Sequence, residues 1–169
     1  MKKSYAKIFD VVEVYIPTFI FLLLIITVTV QVFSRYVLDH PLPKFFELSI
    51  YSFVWIIYLG ASLARRYNRH IRFDIIYRKL PRKAQILTDI AFTMLTNIVF
   101  LFILIPSIRY TIWNYRIKAS ALRIPWTYLL LCFPIFVVLI LVHNTAYVYF
   151  NVKELRGKGT RHEEVPPWQ

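Results

Sequence analysis

ARRYNRHIRFDIIYRKLPRK, residues Ala64 to Lys83, sets eight Lys or Arg residues into twenty positions between two long apolar segments. A soluble domain spreads such charge over its surface. Here the surroundings are apolar: the chain is 58% hydrophobic, with a mean hydropathy of +0.53 and a net charge of +12. A nucleic-acid binder carries its basic charge on a polar surface, so this composition argues against nucleic acid as a partner and for the membrane class. A bilayer core about 30 Å thick is crossed by about 20 apolar helical residues. Four runs meet that length, at roughly residues 14–34, 44–64, 84–108 and 126–150. They leave a basic loop at 65–83, a tail at 151–169, and a single membrane domain over 1–169. The first run is too long for a secretory signal and is followed by QVFSRYV, which offers no small-residue cleavage site. The expected fold is an all-α integral membrane protein of four transmembrane helices.

The basic stretch then sets the orientation. Lys and Arg in short loops are retained on the cytoplasmic side. Four spans place the N-terminus, the 65–83 loop and the tail on one side, with fifteen Lys and Arg against six on the other. Both termini are therefore expected in the cytoplasm. Within the stretch, Phe73, Ile76, Tyr77 and Leu80 share one helical face, while Arg72, Asp74, Arg78 and Lys79 lie off it. This pattern predicts a short amphipathic interfacial helix around Arg72 to Leu80, ended by Pro81. Two roles fit it. One is an anchor on anionic lipids, each basic residue near the surface contributing about 1 kcal/mol; the other is a docking patch for a partner subunit. Arg66, His70 and Asp74 follow one another at i, i+4 and i+8, a spacing that would fix the turn between the second span and this helix.

Individual residues in the spans call for structural roles. Glu47 follows Pro43 in the first turns of the second span, where the positive end of a helix favours a carboxylate, with Lys44 and Arg35 nearby. An ion or proton site is the other reading of Glu47. Trp55 sits at mid-depth, where an indole is expected to fill a groove in this protein or a neighbour. Gly60 and Ala64 form a small-xxx-small pair that permits close helix contact. Pro106 and Pro134 are expected bends in long third and fourth spans. Asn97 is expected to bond across helices, and Asp89 to stay near the inner headgroups. Arg35, Lys44, Arg116, Lys118 and Arg123 fall in the outer loops, where they are candidates to meet an acidic partner.

No phosphate loop, nucleophile elbow or metal-ligand cluster is visible, and no cofactor is implied. Of four histidines only His143 lies in a span, beside Asn144, and it reads as half of a polar pair rather than a haem ligand. The chain reads as an accessory subunit and not as an enzyme.

The segment QVFSRYVLDHPLPKFFELSIYSFVWIIYLGASLARRYNRHIRFDII, residues 31–76, resembles the small membrane subunit of tripartite ATP-independent periplasmic (TRAP) transporters. The matching elements are FSRYV at the end of span one, an acid before span two, FVWIIYLGASLA and HIRFDII. That family often has two adjacent acids where this chain has Phe46 and Glu47. The resemblance implies a scaffold subunit in the bacterial inner membrane. Its partners would be a large multispan permease subunit, driven by sodium, and a periplasmic substrate-binding protein that captures organic acids such as C4-dicarboxylates or sialic acid. Trp55, Gly60 and Ala64 become candidates for the contact with the large subunit, and the outer cations for docking of the binding protein. A free-standing oligomeric exporter and a haem-binding electron-transfer subunit are the alternatives.

Overall fold

The computed structural model describes residues 7–67 and 81–155. The expected interfacial helix, with His70, Arg72 and Asp74, lies outside those residues. Among the described residues the fold is helical, with one isolated β-bridge between Lys118 and Pro125. Four helices among these residues are long and apolar enough to cross a membrane.

Helix α1 runs Lys7–Tyr36 and starts ahead of the expected boundary at residue 14. Its early turns widen into a π-helix at Val11–Tyr15, where the Ile16 N–H reaches the Val11 carbonyl. Pro17 follows and has no N–H to give to the Glu13 carbonyl, so the regular bonding pattern cannot pass unchanged through this point. A π-turn of this kind re-aims the side chains around it. At the other end Ser34 donates its hydroxyl to the His40 carbonyl at 2.5 Å, and the His40 N–H returns to the Ser34 carbonyl at 3.0 Å. This closes the turn to α2, Pro43–Arg66, which starts on its proline.

Helix α3, Arg82–Trp113, continues through Pro106 without a break in its helical run. At 1.5 Å per residue its 32 residues span about 48 Å. The fourth crossing is divided. A short α4, Thr127–Leu130, is followed after Leu131 by α5, Cys132–Leu155. The division falls where Pro134 leaves the Leu130 carbonyl without its usual donor. Of the two prolines expected to bend the long spans, Pro134 coincides with an interruption and Pro106 does not.

The helices are ordered across one layer as α1, α2, α5, α3. Helix α1 packs mainly on α2, α2 also on α5, and α3 mainly on α5. Such a layer has little interior. Among the described residues, buried polar ones outnumber buried apolar ones, while Phe19, Phe92, Phe102 and many other large apolar side chains face outward. This inversion suits a lipid solvent. Apolar surface gains nothing by leaving hydrocarbon, so helices associate through close packing and polar contacts.

Candidate functional site

Helix α2 carries polar side chains at both ends, and each end grips its neighbours. The helices' Lys7 and Leu155 ends lie at the same end of the layer as Arg66, here called the termini end. At that end Glu13 is 0% exposed. One carboxylate oxygen accepts from the Ser62 hydroxyl at 2.6 Å and meets His143 Nε2 at 2.6 Å. The other faces Arg66 Nη1 at 3.4 Å. Arg66 is 3% exposed and also binds Asp10 at 2.7 Å through Nη2. Phe9 covers the cluster, its ring centroid 5.2 Å from that of His143. Three helices, α1, α2 and α5, therefore meet on one carboxylate. A lone charge in an apolar interior costs several kcal/mol, which is offset only when partners and hydrogen bonds surround it.

The neighbouring residue works in the other direction. Successive residues on a helix point about 100° apart, and Arg65 turns away from α1 towards α5 and α3. Its Nε donates to Asn144 Oδ1, its Nη2 reaches Thr93 Oγ1 at 3.3 Å, and its guanidinium lies 4.7 Å from the Tyr147 ring centroid. Asn144 passes the link on by donating to Asn97 Oδ1 at 2.8 Å. Tyr147 donates to Asp89 at 2.6 Å. This second network ties α2, α5 and α3.

At the opposite end Glu47 spans to the connection between α3 and α4. Its carboxylate accepts from the Ala121 N–H at 2.9 and 3.0 Å and from the Leu122 N–H at 2.7 Å. That connection is itself a small hairpin. The Ala119 N–H bonds to the Ile124 carbonyl and the Trp126 N–H to the Ile117 carbonyl, both at 2.9 Å. Trp55 Nε1 donates to the Tyr128 carbonyl at 3.0 Å, so α2 also holds the start of the fourth crossing. Thr127 Oγ1 donates to the Thr111 carbonyl at 2.8 Å and ties the same segment to α3. No group of three or more metal-ligating side chains occurs among the described residues.

These four crossings and their polar fastening are the setting for one comparison. The family described as "Tripartite ATP-independent periplasmic transporters, DctQ component" matches residues 24–153. The chain belongs to that family. No curated protein sequence matches it. DctQ components are inner-membrane parts of TRAP transporters, working with a large permease and a periplasmic binding protein, and are not known as enzymes.

The residues singled out in this DctQ chain have distinct fates. Glu47, placed by its sequence at a positive helix end, finds its donors in the backbone of a different loop. Arg66, expected to fix the turn beyond the second span together with His70 and Asp74, is buried against α1, and α2 ends there with Tyr67 as its cap; His70 and Asp74 lie outside the described residues. Trp55 is half-buried and bonded within the chain. Gly60 and Ala64 are half-buried on α2. A Cβ added at Gly60 would meet nothing within 4 Å, so the chain's own helices do not close on this notch. Arg35, Lys44, Arg116, Lys118 and Arg123 are all exposed at the hairpin end. Asn97 bonds across helices, and His143 and Asn144 bond to other helices rather than to each other. Asp10 and Glu13 lie outside the expected first span, 14–34, and inside the observed α1. The signal for Glu13 was the run VVEVY, an acid with apolar neighbours on both sides and a proline shortly after it.

Proposed function

We propose that this DctQ component is the static scaffold of a sodium-driven TRAP transporter that takes up organic acids, carboxylates such as C4-dicarboxylates or sialic acid. Its large permease partner moves the substrate, and the periplasmic binding protein delivers it. The supporting observation is the commitment of the charges. Glu13, Asp89, Arg65 and Arg66 are bonded between helices, and Glu47 between a helix and a loop. A group that carries an ion or proton across a membrane must exchange partners during the cycle; groups fastened between helices hold a layer in one shape. The outward apolar faces give that layer two broad surfaces, one of which lies along the large subunit. Trp55, Gly60 and Ala64 belong to that contact, with a partner helix closing on the open notch at Gly60.

Proteoliposomes test this reading. Uptake of a labelled organic acid is expected only with the large subunit, this chain, the binding protein and an inward sodium gradient together. Transport by this chain alone would support the exporter, and a Soret band in the purified chain would support the haem protein. In the same preparation Gly60→Leu, which fills open space, should leave this chain folded. Overpacking of a partner helix costs about 1–3 kcal/mol, so recovery of the large subunit in a pull-down should fall roughly tenfold. Unchanged recovery would remove Gly60 from the contact.

The Lys and Arg asymmetry supports an orientation with both termini in the cytoplasm and the hairpin end in the periplasm. The basic segment between α2 and α3 then holds to anionic lipid on the inner face. Ser120 is exposed on the hairpin. In a Cys132→Ala background, Ser120→Cys should be labelled by an impermeant maleimide once the outer membrane alone is opened. Labelling that requires rupture of the inner membrane would invert the orientation.

A further inference from the structure

We infer that Glu47 is a positioning residue that holds the 117–126 hairpin as a preformed cationic dock for an acidic face of the periplasmic binding protein. The inference rests on the reading of the outer cations given above. Three of those cations, Arg116, Lys118 and Arg123, belong to or adjoin the hairpin and are exposed. They form no ion pair among the described residues. Arg35, on the last turn of α1, and Lys44, on the first turn of α2, stand exposed at the same end. The Glu47 carboxylate, which holds the hairpin, is turned to the backbone donors of Ala121 and Leu122 and not to any of these side chains.

The hairpin's backbone is defined well beyond a simple surface loop. It has the Lys118–Pro125 bridge, which the two cross-hairpin hydrogen bonds form, and Arg123 in the left-handed region at φ 57°. A non-glycine residue adopts that conformation where its surroundings fix it. The Arg123 N–H bonds back to the Ala119 carbonyl at 3.0 Å, directly flanking the two residues that Glu47 holds. Charges presented on an ordered backbone lose less freedom when a partner docks, and charges at a rim steer the encounter. Glu47 therefore acts on docking through the hairpin, without touching the binding protein.

The test titrates binding protein into proteoliposomes that hold the complete membrane complex. Glu47→Gln replaces one acceptor by an NH2 group facing N–H donors. Glu47→Asp keeps the charge and shortens its reach by one methylene. Each should raise the half-saturating concentration of binding protein by roughly three- to tenfold, with uptake at saturation unchanged. A residue needed only for folding would lower the maximum and leave half-saturation alone, and that result would overturn the inference. Loss of the membrane complex in Glu47→Gln would overturn it too, by making Glu47 an assembly residue. Paired reversal of Arg116→Glu and Lys118→Glu is the control on the underlying reading. If the reversals leave half-saturation unchanged, the hairpin is not the dock. If they shift it and neither Glu47 variant does, the dock stands and the positioning role fails.

Discussion

Glu13→Ala should destabilise the chain by about 3–5 kcal/mol, the range for removing one partner of a buried ion pair. The substitution takes the acceptor from the Ser62 hydroxyl and from His143. It also takes one of the two carboxylates that hold the Arg66 guanidinium, 3% exposed, among the described residues; Asp10 is the other. Asp10 is a poor replacement because its side chain is 42% exposed and holds Arg66 only from the outer side. The loss should appear as a fall in unfolding temperature in lipid nanodiscs, with α1 the first element to open to hydrogen exchange. Removal of both charges is a different experiment. Glu13→Leu combined with Arg66→Met should be much closer to the wild type than Glu13→Ala, because a buried pair and an apolar pair of similar volume are often near-equal in stability. A single variant within 0.5 kcal/mol of wild type, by the scale used for surface substitutions, would mean that the cluster does not hold α1.

Asn144→Ala should have the next largest effect, roughly 2–3.5 kcal/mol. Asn144 is 2% exposed and faces two ways, accepting from Arg65 and donating to Asn97. The bond to a charged donor contributes about 1.5–3 kcal/mol, and the bond to Asn97, between spans, about 0.6 kcal/mol. Asn144→Asp should be milder, since it keeps the acceptor for Arg65 and gives up the donor to Asn97. A double-mutant cycle of Asn144→Ala with Arg65→Lys measures the coupling directly. Strict additivity would show that the Arg65–Asn144 contact contributes nothing to stability.

The four crossings were legible because their apolar runs are continuous and long, and lipid demands that length before anything else. The family was legible in the order of short motifs, and the structure gives some of them physical content. Ser34 in FSRYV closes the turn to α2 through His40, and Ser62 in FVWIIYLGASLA binds Glu13 of α1; Arg65 and Arg66, which directly follow that motif, reach the three other crossings. The networks themselves were not legible. A hydropathy reading trims charged residues from the ends of a span, and this trimming cut Asp10 and Glu13 away from the helix that carries them. Eight cations in one stretch look alike in sequence, yet the first two lie on the last turn of α2 and are turned into the layer. Glu47 and its donors are more than seventy positions apart, and its acceptors are met by backbone N–H groups, which have no residue code. The open side of Gly60 was hidden for a related reason: small-residue spacing records that a close approach is permitted and not which helix makes it.

Adjacent Arg65 and Arg66 also differ in time. A chain is made from its N-terminus, and Arg66 emerges when Asp10 and Glu13 already exist. The α1–α2 pair thus has its ionic contact at hand before the second half of the layer is synthesised. Thr93, Asn144 and Tyr147, which Arg65 holds, are still to be translated at that point. His143 comes later again and reaches a Glu13 that Arg66 can already hold. The last turn of α2 therefore divides biogenesis into an early closure and a late one, made by two side chains one peptide bond apart.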